Sequence, residues 1–307
     1  MSKPSLDPDG ASSGFKILML FTPILWAGAF YAAVPAVASA GPGLSTLLRF
    51  ASATLVLLPF LWLTHRKAVI PFEGQIVKYA VVSALLGGLG YHLLFYAGAG
   101  RTDPVRAAVI VGMNPAWTAI LEAVVLRRAL GRRFWGGLVL ALAGAMVALT
   151  AGKDLSGLTT SWTPGDTLLM AASLSWATYS VTTQSMRQPG WDGRWMGAYF
   201  AVGTAIASVI PAWPDLHLIS SFQPADWGPH LYLGVLSTAI GYTLFSEGIV
   251  RLGAARAALY VFLVPVMTAI MRPLITGEAM LLWDVIGAVL VFGGLALGLR
   301  TKKPASA

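Results

Sequence analysis

Ten apolar segments of about 20 residues follow one another along this 307-residue chain. A helix rises 1.5 Å per residue and the hydrocarbon core of a bilayer is about 30 Å thick, so segments of this length are typical of membrane-spanning helices. Only 11% of the residues are charged, against about 25% in soluble domains, which argues against a water-soluble fold. The sequence therefore predicts an all-α membrane protein with ten spans, at residues 17–40, 44–63, 76–98, 104–123, 134–151, 164–184, 195–213, 228–249, 256–274 and 280–299.

The chain also repeats itself with an offset of 150 residues. The stretch RAAVIVGMNPAWTAI begins at Arg106, and RAALYVFLVPVMTAI begins at Arg256. The same shift pairs Trp26 with Trp176. Each unit holds five spans, and because five is odd, the second unit must enter the membrane from the opposite side. Such inverted repeats are typical of secondary transporters. We expect one repeat at 16–152, a second at 153–300, a disordered cytosolic tail at 1–15 and a cytosolic tail at 301–307.

The distribution of lysine and arginine orients the chain. If the N-terminus is cytoplasmic, all but five of the 21 basic residues fall on the cytoplasmic side, where positively charged flanks are retained. The exceptions are Arg49, Arg101, Arg106, Lys153 and Arg272. The pattern predicts a multi-pass protein of the plasma (inner) membrane with both termini in the cytoplasm. It also explains the net charge of +8 by contacts with lipid, without a nucleic-acid partner.

A proline lies near the middle of spans four and nine. Pro115 and Pro265 lack an amide hydrogen, so the carbonyls of Val111 and Val261 lose their helical partners. A polar group freed at this depth must face protein, water or substrate. Two interpretations stay open, a hinge or binding element and a simple packing kink.

These patterns resemble those of the EamA family in the drug/metabolite transporter superfamily. The resemblance rests on the ten-span pattern, the duplicated unit, the stretch RAALYVFLVPVMTAI and the Gly277-Glu278 pair, and it extends over residues 17 to 300. Within the family the chain looks like the YddG-type exporters of aromatic amino acids. The resemblance implies a central cavity lined by spans three, four, eight and nine. The first repeat departs from the pattern, because it carries Arg127-Arg128 where the second carries Gly277-Glu278.

Polar and aromatic side chains inside the spans are the candidate substrate contacts, because a polar group in hydrocarbon is costly unless it faces the protein interior or a cavity. They recur at helical spacing on spans one, three, four, six and eight. Ordinary core packing is the alternative for each of them, and most of all for a lone histidine. The predicted substrate-binding residues are Trp26, Tyr91, His92, Tyr96, Asn114, Trp117, Trp176, Ser180, Tyr242 and Ser246.

A second group of residues is predicted to act in gating. Arg106 and Arg256 begin their helices on opposite sides of the membrane, and Pro115 and Pro265 are the candidate hinges. Glu247 lies late in span eight, where it could meet a substrate amine or a proton, or form a plain ion pair with Arg251. The small residues of span ten predict close helix packing, within or between protomers, so a monomer and a weak dimer both remain open.

The composition offers little support for other function classes. The chain has no nucleophile, zinc-protease or phosphate-loop motif, and its four histidines are scattered, so no enzyme activity, metal or cofactor is predicted. Rings of charge typical of a channel are missing from the sequence. The predicted function is export of aromatic and other neutral amino acids and related metabolites by alternating access, with no proton-carrying carboxylate evident at mid-depth. A multidrug exporter of quaternary ammonium compounds is the nearest alternative, because tryptophan faces attract such cations. A membrane-embedded enzyme is the less favoured one.

Overall fold

A computed structural model describes residues 12–64, 74–99, 101–102, 104–150, 161–188 and 191–300. Most of the predicted tails, 1–11 and 301–307, lie outside the described residues, as does the junction between the repeats at 151–160. The described end of the N-terminal tail is already helical, because the first helix begins at Ser13, where the Ser12 hydroxyl accepts a hydrogen bond from the Phe15 amide.

The described residues of the first repeat form seven α-helices and one π-helical segment. The first long helix bends at Gly41, whose φ of 67° and ψ of 172° are not helical. This bend falls in the predicted link at residues 40–43. The helices are α1 (Ser13–Leu18), α2 (Phe21–Thr64), α3 (Gly74–Ser83), α4 (Tyr91–Ala99), α5 (Pro104–Gly112), α6 (Asn114–Val125) and α7 (Arg132–Thr150), with the π-helix Ala84–Gly90 between α3 and α4.

The second repeat follows the same plan. Its first helix is capped by Thr163, which exchanges hydrogen bonds with Asp166 in a capping box. The helices are α8 (Pro164–Met186), α9 (Gly193–Ala212), α10 (Pro224–Leu231), α11 (Thr243–Leu252), α12 (Ala254–Leu259), α13 (Leu263–Ile275) and α14 (Leu282–Gly298). Between them lie the 3-10 helices Trp213–Ser221 and Tyr260–Phe262 and the π-helix Tyr232–Tyr242.

Seven helical runs in the described part of the chain are long and apolar enough to cross a membrane, and that part contains no strand. The first run has 52 residues, enough for two crossings on either side of the Gly41 bend. Helix α8 has 23 residues but is less apolar, because serines and threonines recur along it. The runs are Ser13–Thr64, Gly74–Ala99, Arg106–Val125, Arg132–Thr150, Gly193–Ser221, Pro224–Leu252 and Ala254–Ile275.

The two repeats pack about a two-fold axis. A Cβ added to Gly137 would lie 2.5 Å from the carbonyl oxygen of Gly294, and one added to Gly144 would lie 2.7 Å from that of Gly287. Each glycine of α7 therefore meets the counterpart of the other, which is the reciprocal contact that a two-fold axis produces. The small-residue face of span ten thus packs within the protomer, against α7.

The backbone irregularities also recur at the 150-residue offset. The π-helix at 84–90 corresponds to positions 234–240, inside the second π-helix. Gly277 has a φ of 76°, and Arg127, its counterpart, keeps a φ of 50°. A side chain in this left-handed conformation costs roughly 1–2 kcal/mol. The second repeat has a glycine at this left-handed position, whereas the first repeat has an arginine, which is strained there.

The helical context of the prolines in spans four and nine differs from the predicted one. Neither lies in the middle of a continuous helix. Helix α5 ends at Gly112 and Pro115 lies in the first turn of α6, while the 3-10 turn Tyr260–Phe262 precedes the first turn of α13, which holds Pro265. A proline is tolerated in a first turn because the amide it lacks would have no helical partner there. Each span is therefore built from two helices joined at the proline.

Candidate functional site

Aromatic rings from both repeats meet on the two-fold axis. The Trp26 and Trp176 ring centroids are 5.5 Å apart, and those of Phe50 and Phe200 are 5.3 Å apart. The partners in each pair are 150 residues apart, and a residue can touch its own counterpart only close to the axis. We call the surrounding rings the axial cluster, which comprises Trp26, Phe50, Tyr91, His92, Trp176, Tyr179, Phe200, Tyr242 and Phe245.

Trp176 lies at the centre of this cluster. Its ring centroid is 5.2 Å from that of Tyr91 and 5.4 Å from that of Tyr242, with tilted or edge-to-face geometry in both cases. Such contacts are the preferred ones between aromatic rings. The structure thus brings together five predicted substrate contacts, Trp26, Tyr91, His92, Trp176 and Tyr242. Tyr96 joins at the edge, with its ring 6.1 Å from that of His92.

The two π-helices supply backbone carbonyls to the cluster. The Nδ1 atom of His92 lies 2.7 Å from the Gly88 carbonyl oxygen, which can only accept, so this nitrogen carries a proton. The Trp26 indole donates to the Ser237 carbonyl at 3.1 Å. Gly241 allows this approach, because a Cβ there would lie 2.8 Å from the indole nitrogen. Such π-helical segments are frequent at functional sites because they disturb the regular hydrogen-bond ladder.

Arg49 lies beside the cluster and was not predicted as a site residue. Its side chain is buried, with 7% of the residue exposed. Nε donates to the Thr238 hydroxyl at 2.7 Å and Nη2 to the Ser237 hydroxyl at 2.9 Å. The guanidinium carbon is 5.5 Å from the Tyr242 ring centroid. Among the described residues, no carboxylate lies within ion-pair distance of it.

The other predicted substrate-binding residues, Asn114, Trp117, Ser180 and Ser246, are not among the rings of the axial cluster. The Asn114 side-chain oxygen accepts a hydrogen bond from Ser173 at 2.9 Å, which joins α6 to α8. The Ser180 hydroxyl donates to the carbonyl of Trp176, and Ser246 is fully buried. The buried indole nitrogen of Trp117 has no hydrogen-bond partner among the residues that the structure describes. The role of these residues in binding substrate stays a prediction.

One end of the bundle, which we call the Arg106 end, is tied by a buried ion pair. Nη1 of Arg106 lies 2.8 Å from Oδ2 of Asp166, and the same nitrogen donates to the Ser161 carbonyl. The Asp166 carboxylate also accepts from the Thr102 hydroxyl and from the Thr163 amide. Two carboxylate oxygens thereby connect the start of α5 to the start of α8.

At the opposite end, which we call the Arg256 end, side-chain oxygens accept hydrogen bonds from backbone amides. Glu122 accepts from the Ala255 amide and from the Gln184 side chain, and Gln184 accepts from the Ala254 amide. Helices α6 and α8 are thereby joined to the start of α12. Nε of Arg256 is buried and has no hydrogen-bond partner within the described part of the chain.

Glu247 lies at the Arg256 end and acts there as a structural group. Its carboxylate accepts from the Gly193 amide at the start of α9 and pairs with Arg251, one turn along α11. The ion-pair alternative from the sequence is therefore observed, with an additional bond to the backbone. A role for Glu247 in gating remains a prediction.

The sequence profile of the EamA-like transporter family matches the chain twice, over residues 15–150 and 163–300. The chain belongs to this family. Each match covers one repeat of the fold described above. A membrane-transporter function follows from the family together with the apolar helices.

Relatives of this EamA transporter support the same assignment. The chain is 28% identical to "Uncharacterized transporter YyaM" of Bacillus subtilis over 91% of each chain. It is 24% identical to a "Probable terminal-alkyne amino-acid exporter" of Streptantibioticus cattleyicolor, over 70% of this chain and 71% of that one. A solved crystal structure shares the fold with a TM-score of 0.72 and 22% identity, over 94% of this chain and 98% of the other.

Three features of this EamA transporter are absent from the predicted site, and the sequence holds a signal for two of them. Arg49 was assigned to the outer flank, yet it lies inside the apolar segment 44–63, where a charged residue is by itself an indication of function. Phe50 and Phe200 match at the 150-residue offset, as the tryptophans do. The sequence holds no such signal for Glu122, because this residue lies at the predicted end of a span, where charges are ordinary.

Proposed function

We propose that this protein exports aromatic and other neutral amino acids, and related small metabolites, by alternating access. In this proposal ten spans form two inverted repeats, and the solute binds at the axial cluster. The observation that carries it is the contact of rings from both repeats on the two-fold axis. A site on the axis is related in the same way to both ends of the bundle, as alternation requires.

The ends of the bundle supply elements that could alternate. The Arg106 end and the Arg256 end are each closed by polar contacts between helices of different repeats. The proline joints stand at the starts of α6 and α13, each within a span that carries one of the end arginines. Following the distribution of basic residues, we assign the Arg106 end to the outside and the Arg256 end, with both termini, to the cytoplasm.

The chemistry of the cluster favours solutes with a flat or apolar body. Indole and phenol rings provide apolar faces, while the Tyr91, Tyr96 and Tyr242 hydroxyls can bond polar groups. The name of the Streptantibioticus relative supports the amino-acid class. The YddG-type exporters that the sequence resembles carry aromatic amino acids, which agrees with this substrate class.

Counterflow in proteoliposomes tests the proposal. Purified protein is reconstituted, preloaded with unlabelled phenylalanine and mixed with labelled phenylalanine outside. We expect uptake above that of empty liposomes, and its loss in Trp176→Ala, because that ring contacts five others in the cluster. Trp213→Ala is the matched control, since Trp213 is 71% exposed.

The same assay separates the alternatives. Uptake driven by a preloaded quaternary ammonium compound and not by amino acids would favour the multidrug exporter. A chemically changed solute after incubation would favour a membrane-embedded enzyme. If no preloaded solute drives uptake in verified proteoliposomes, the proposed substrate class is wrong.

A further inference from the structure

The buried charge of Arg49 has no counter-charge among the described residues. A guanidinium group stays protonated at every physiological pH, so burial cannot neutralise it. An arginine deep in a membrane helix is costly unless it is paired or faces a polar cavity. The partners that hold it, the Ser237 and Thr238 hydroxyls and the Tyr96 phenol, are neutral.

The geometry leaves part of the guanidinium for a ligand. The bonds to Thr238 and Ser237 use one N–H of Nε and one of Nη2, and a further side-chain hydrogen bond joins the guanidinium to the Tyr96 phenol. Because a guanidinium group has five N–H donors, two of them remain for a ligand. Helix α2 therefore delivers a fixed positive group to the edge of the axial cluster. The Tyr242 ring beside it also contacts Trp26 and Trp176, at centroid distances of 5.1 and 5.4 Å.

We propose that Arg49 binds the carboxylate of the transported solute and thereby sets the substrate class, selecting organic acids and zwitterions over cations. The aromatic or apolar body of the solute then lies against the rings of Trp26, Trp176 and Tyr242. This inference rests on the proposed function and narrows it. It also weighs against quaternary ammonium substrates, because an unpaired guanidinium repels a second cation in a medium of low dielectric.

A carboxylate fits this site better than a phosphate group does. Arg49 is the single lysine or arginine that touches the rings of the axial cluster, apart from residues outside the described part of the chain. One positive charge balances one carboxylate, whereas a phosphate dianion would leave an excess negative charge.

Three probes that share one phenyl ring test the proposal by calorimetric titration of the purified full-length protein. The probes are 3-phenylpropionate, which has only the carboxylate, phenethylamine, which has only the ammonium group, and phenylalanine, which has both. We expect wild-type protein to bind 3-phenylpropionate at least about 10-fold more tightly than phenethylamine. Equal or tighter binding of phenethylamine overturns the proposal, and so does a failure of both carboxylate probes to bind.

Variants locate the effect at Arg49. Arg49→Gln should weaken binding of 3-phenylpropionate and phenylalanine at least about 30-fold, as expected for loss of a buried charged partner. Arg49→Lys keeps the charge without the planar fork and should give an intermediate loss. Arg194→Gln removes an arginine outside the cluster and should change neither affinity. Unchanged carboxylate binding in a folded Arg49→Gln protein overturns the proposal.

Further measurements separate the possible results. If Arg49→Gln fails to fold, the relative affinities of the three probes for wild-type protein test the proposal. Chloride at equal concentration should compete weakly; if chloride binds as tightly as 3-phenylpropionate, the site is a halide site and the proposal is wrong. Counterflow run in parallel separates the two proposals, because Arg49-dependent carboxylate binding without transport contradicts only the function, and transport with Arg49-independent carboxylate binding contradicts only this inference.

Discussion

The two ends of the bundle have related backbones and opposite electrostatics. At the Arg106 end, Arg106 pairs with Asp166 at 2.8 Å. The 150-residue offset maps Arg106 to Arg256 and Asp166 to Lys16. Lys16 is close to its expected place, because its carbonyl accepts a hydrogen bond from Tyr260, one turn along from Arg256. An attractive pair at one end therefore corresponds to two cations at the other.

Different contacts close the Arg256 end. The Glu122 carboxylate and the Gln184 amide hold the Ala254 and Ala255 backbone amides, and no carboxylate of the described residues pairs with Arg256. Related helices can thus be tied by an ion pair at one end and by bonds to backbone amides at the other. The comparison teaches that sequence divergence between the repeats sets the stability of each closed end separately.

The largest effect is expected from breaking the ion pair of the Arg106 end. Asp166→Asn leaves Arg106 buried without its carboxylate, and removing one partner of a buried pair costs about 3–5 kcal/mol. Thermal unfolding in detergent, followed by tryptophan fluorescence, measures this loss. Glu278→Gln makes the same chemical change at an exposed site and should stay within about 0.5 kcal/mol of wild type. Equal stability of the two variants would mean that the ion pair does not hold this end.

A smaller effect is expected from weakening the tie at the Arg256 end. Glu122→Gln removes the charge that strengthens the bond to the Ala255 amide, a loss of about 1–2 kcal/mol. Because the chain has no cysteine, Ser246→Cys gives a single reporter at a fully buried position. Its alkylation should become about 5- to 30-fold faster in the Glu122→Gln background. An unchanged rate, with Glu278→Gln as the control background, would show that Glu122 does not restrain this end.

The third prediction makes the two ends alike. Lys16→Glu places a carboxylate near Arg256, and a partly exposed pair is worth about 0.2–1 kcal/mol. Extra stability of the closed end should slow counterflow up to about 5-fold, with the effect reduced in high salt. Lys16→Gln removes the repulsion without adding an attraction, so its counterflow rate should lie between those of wild type and Lys16→Glu. Faster counterflow in Lys16→Glu would contradict the proposed symmetry of the ends.

The smallest effect concerns a helix cap at the Arg256 end. Asp192 caps α9 by accepting from the Arg194 and Trp195 amides. Burial raises the pKa of the Asp192 carboxyl, but its hydrogen bonds with the Arg194 side chain and the Trp195 amide outweigh burial, so the pKa is lower than usual. This carboxylate therefore stabilises the fold above its unfolded pKa of about 4, and the stabilisation is lost as the pH falls through the lower folded value.

A substitution at this cap measures that contribution. Asp192→Asn keeps the cap and removes the charge, so the loss at pH 7 should be only about 0.3 kcal/mol. Unfolding curves at pH 7 and below pH 3 check this, because wild type and variant should converge at the lower pH. If the stability difference between wild type and Asp192→Asn grew on acidification, the Asp192 carboxylate would not stabilise the fold in the way stated.

Much of the fold could be predicted from the sequence because a bilayer imposes a length on each helix. The link at Gly41 and the start of α8 at Pro164 could be predicted because glycine, proline and capping residues set the backbone conformation locally. The π-helices could not be predicted, since an extra residue in a turn leaves no trace in the apolar pattern. Their recurrence at equivalent positions is visible only in the structure.

The site was predicted in part for a related reason. Repeat matching indicated Trp26 and Trp176 as counterparts, but only the structure shows that they lie close enough to the axis to touch. The place of Arg49 depends on how far its side chain reaches across to Ser237 and Thr238, and no local pattern encodes that reach. Trp117 was grouped with the site by helical spacing, but its ring contacts none of the cluster rings in the described part of the chain.

The contact between Phe50 and Phe200 explains why Arg49 occurs only once. Position 199, the counterpart of Arg49, is a tyrosine. If two identical single repeats assembled as a dimer, an arginine at this position would appear twice, on either side of the same ring contact, and two guanidinium groups would repel each other in a dry interior. Joining the repeats in one polypeptide removes that constraint. The fused chain can hold a single charge beside its axis, which no symmetric homodimer can do.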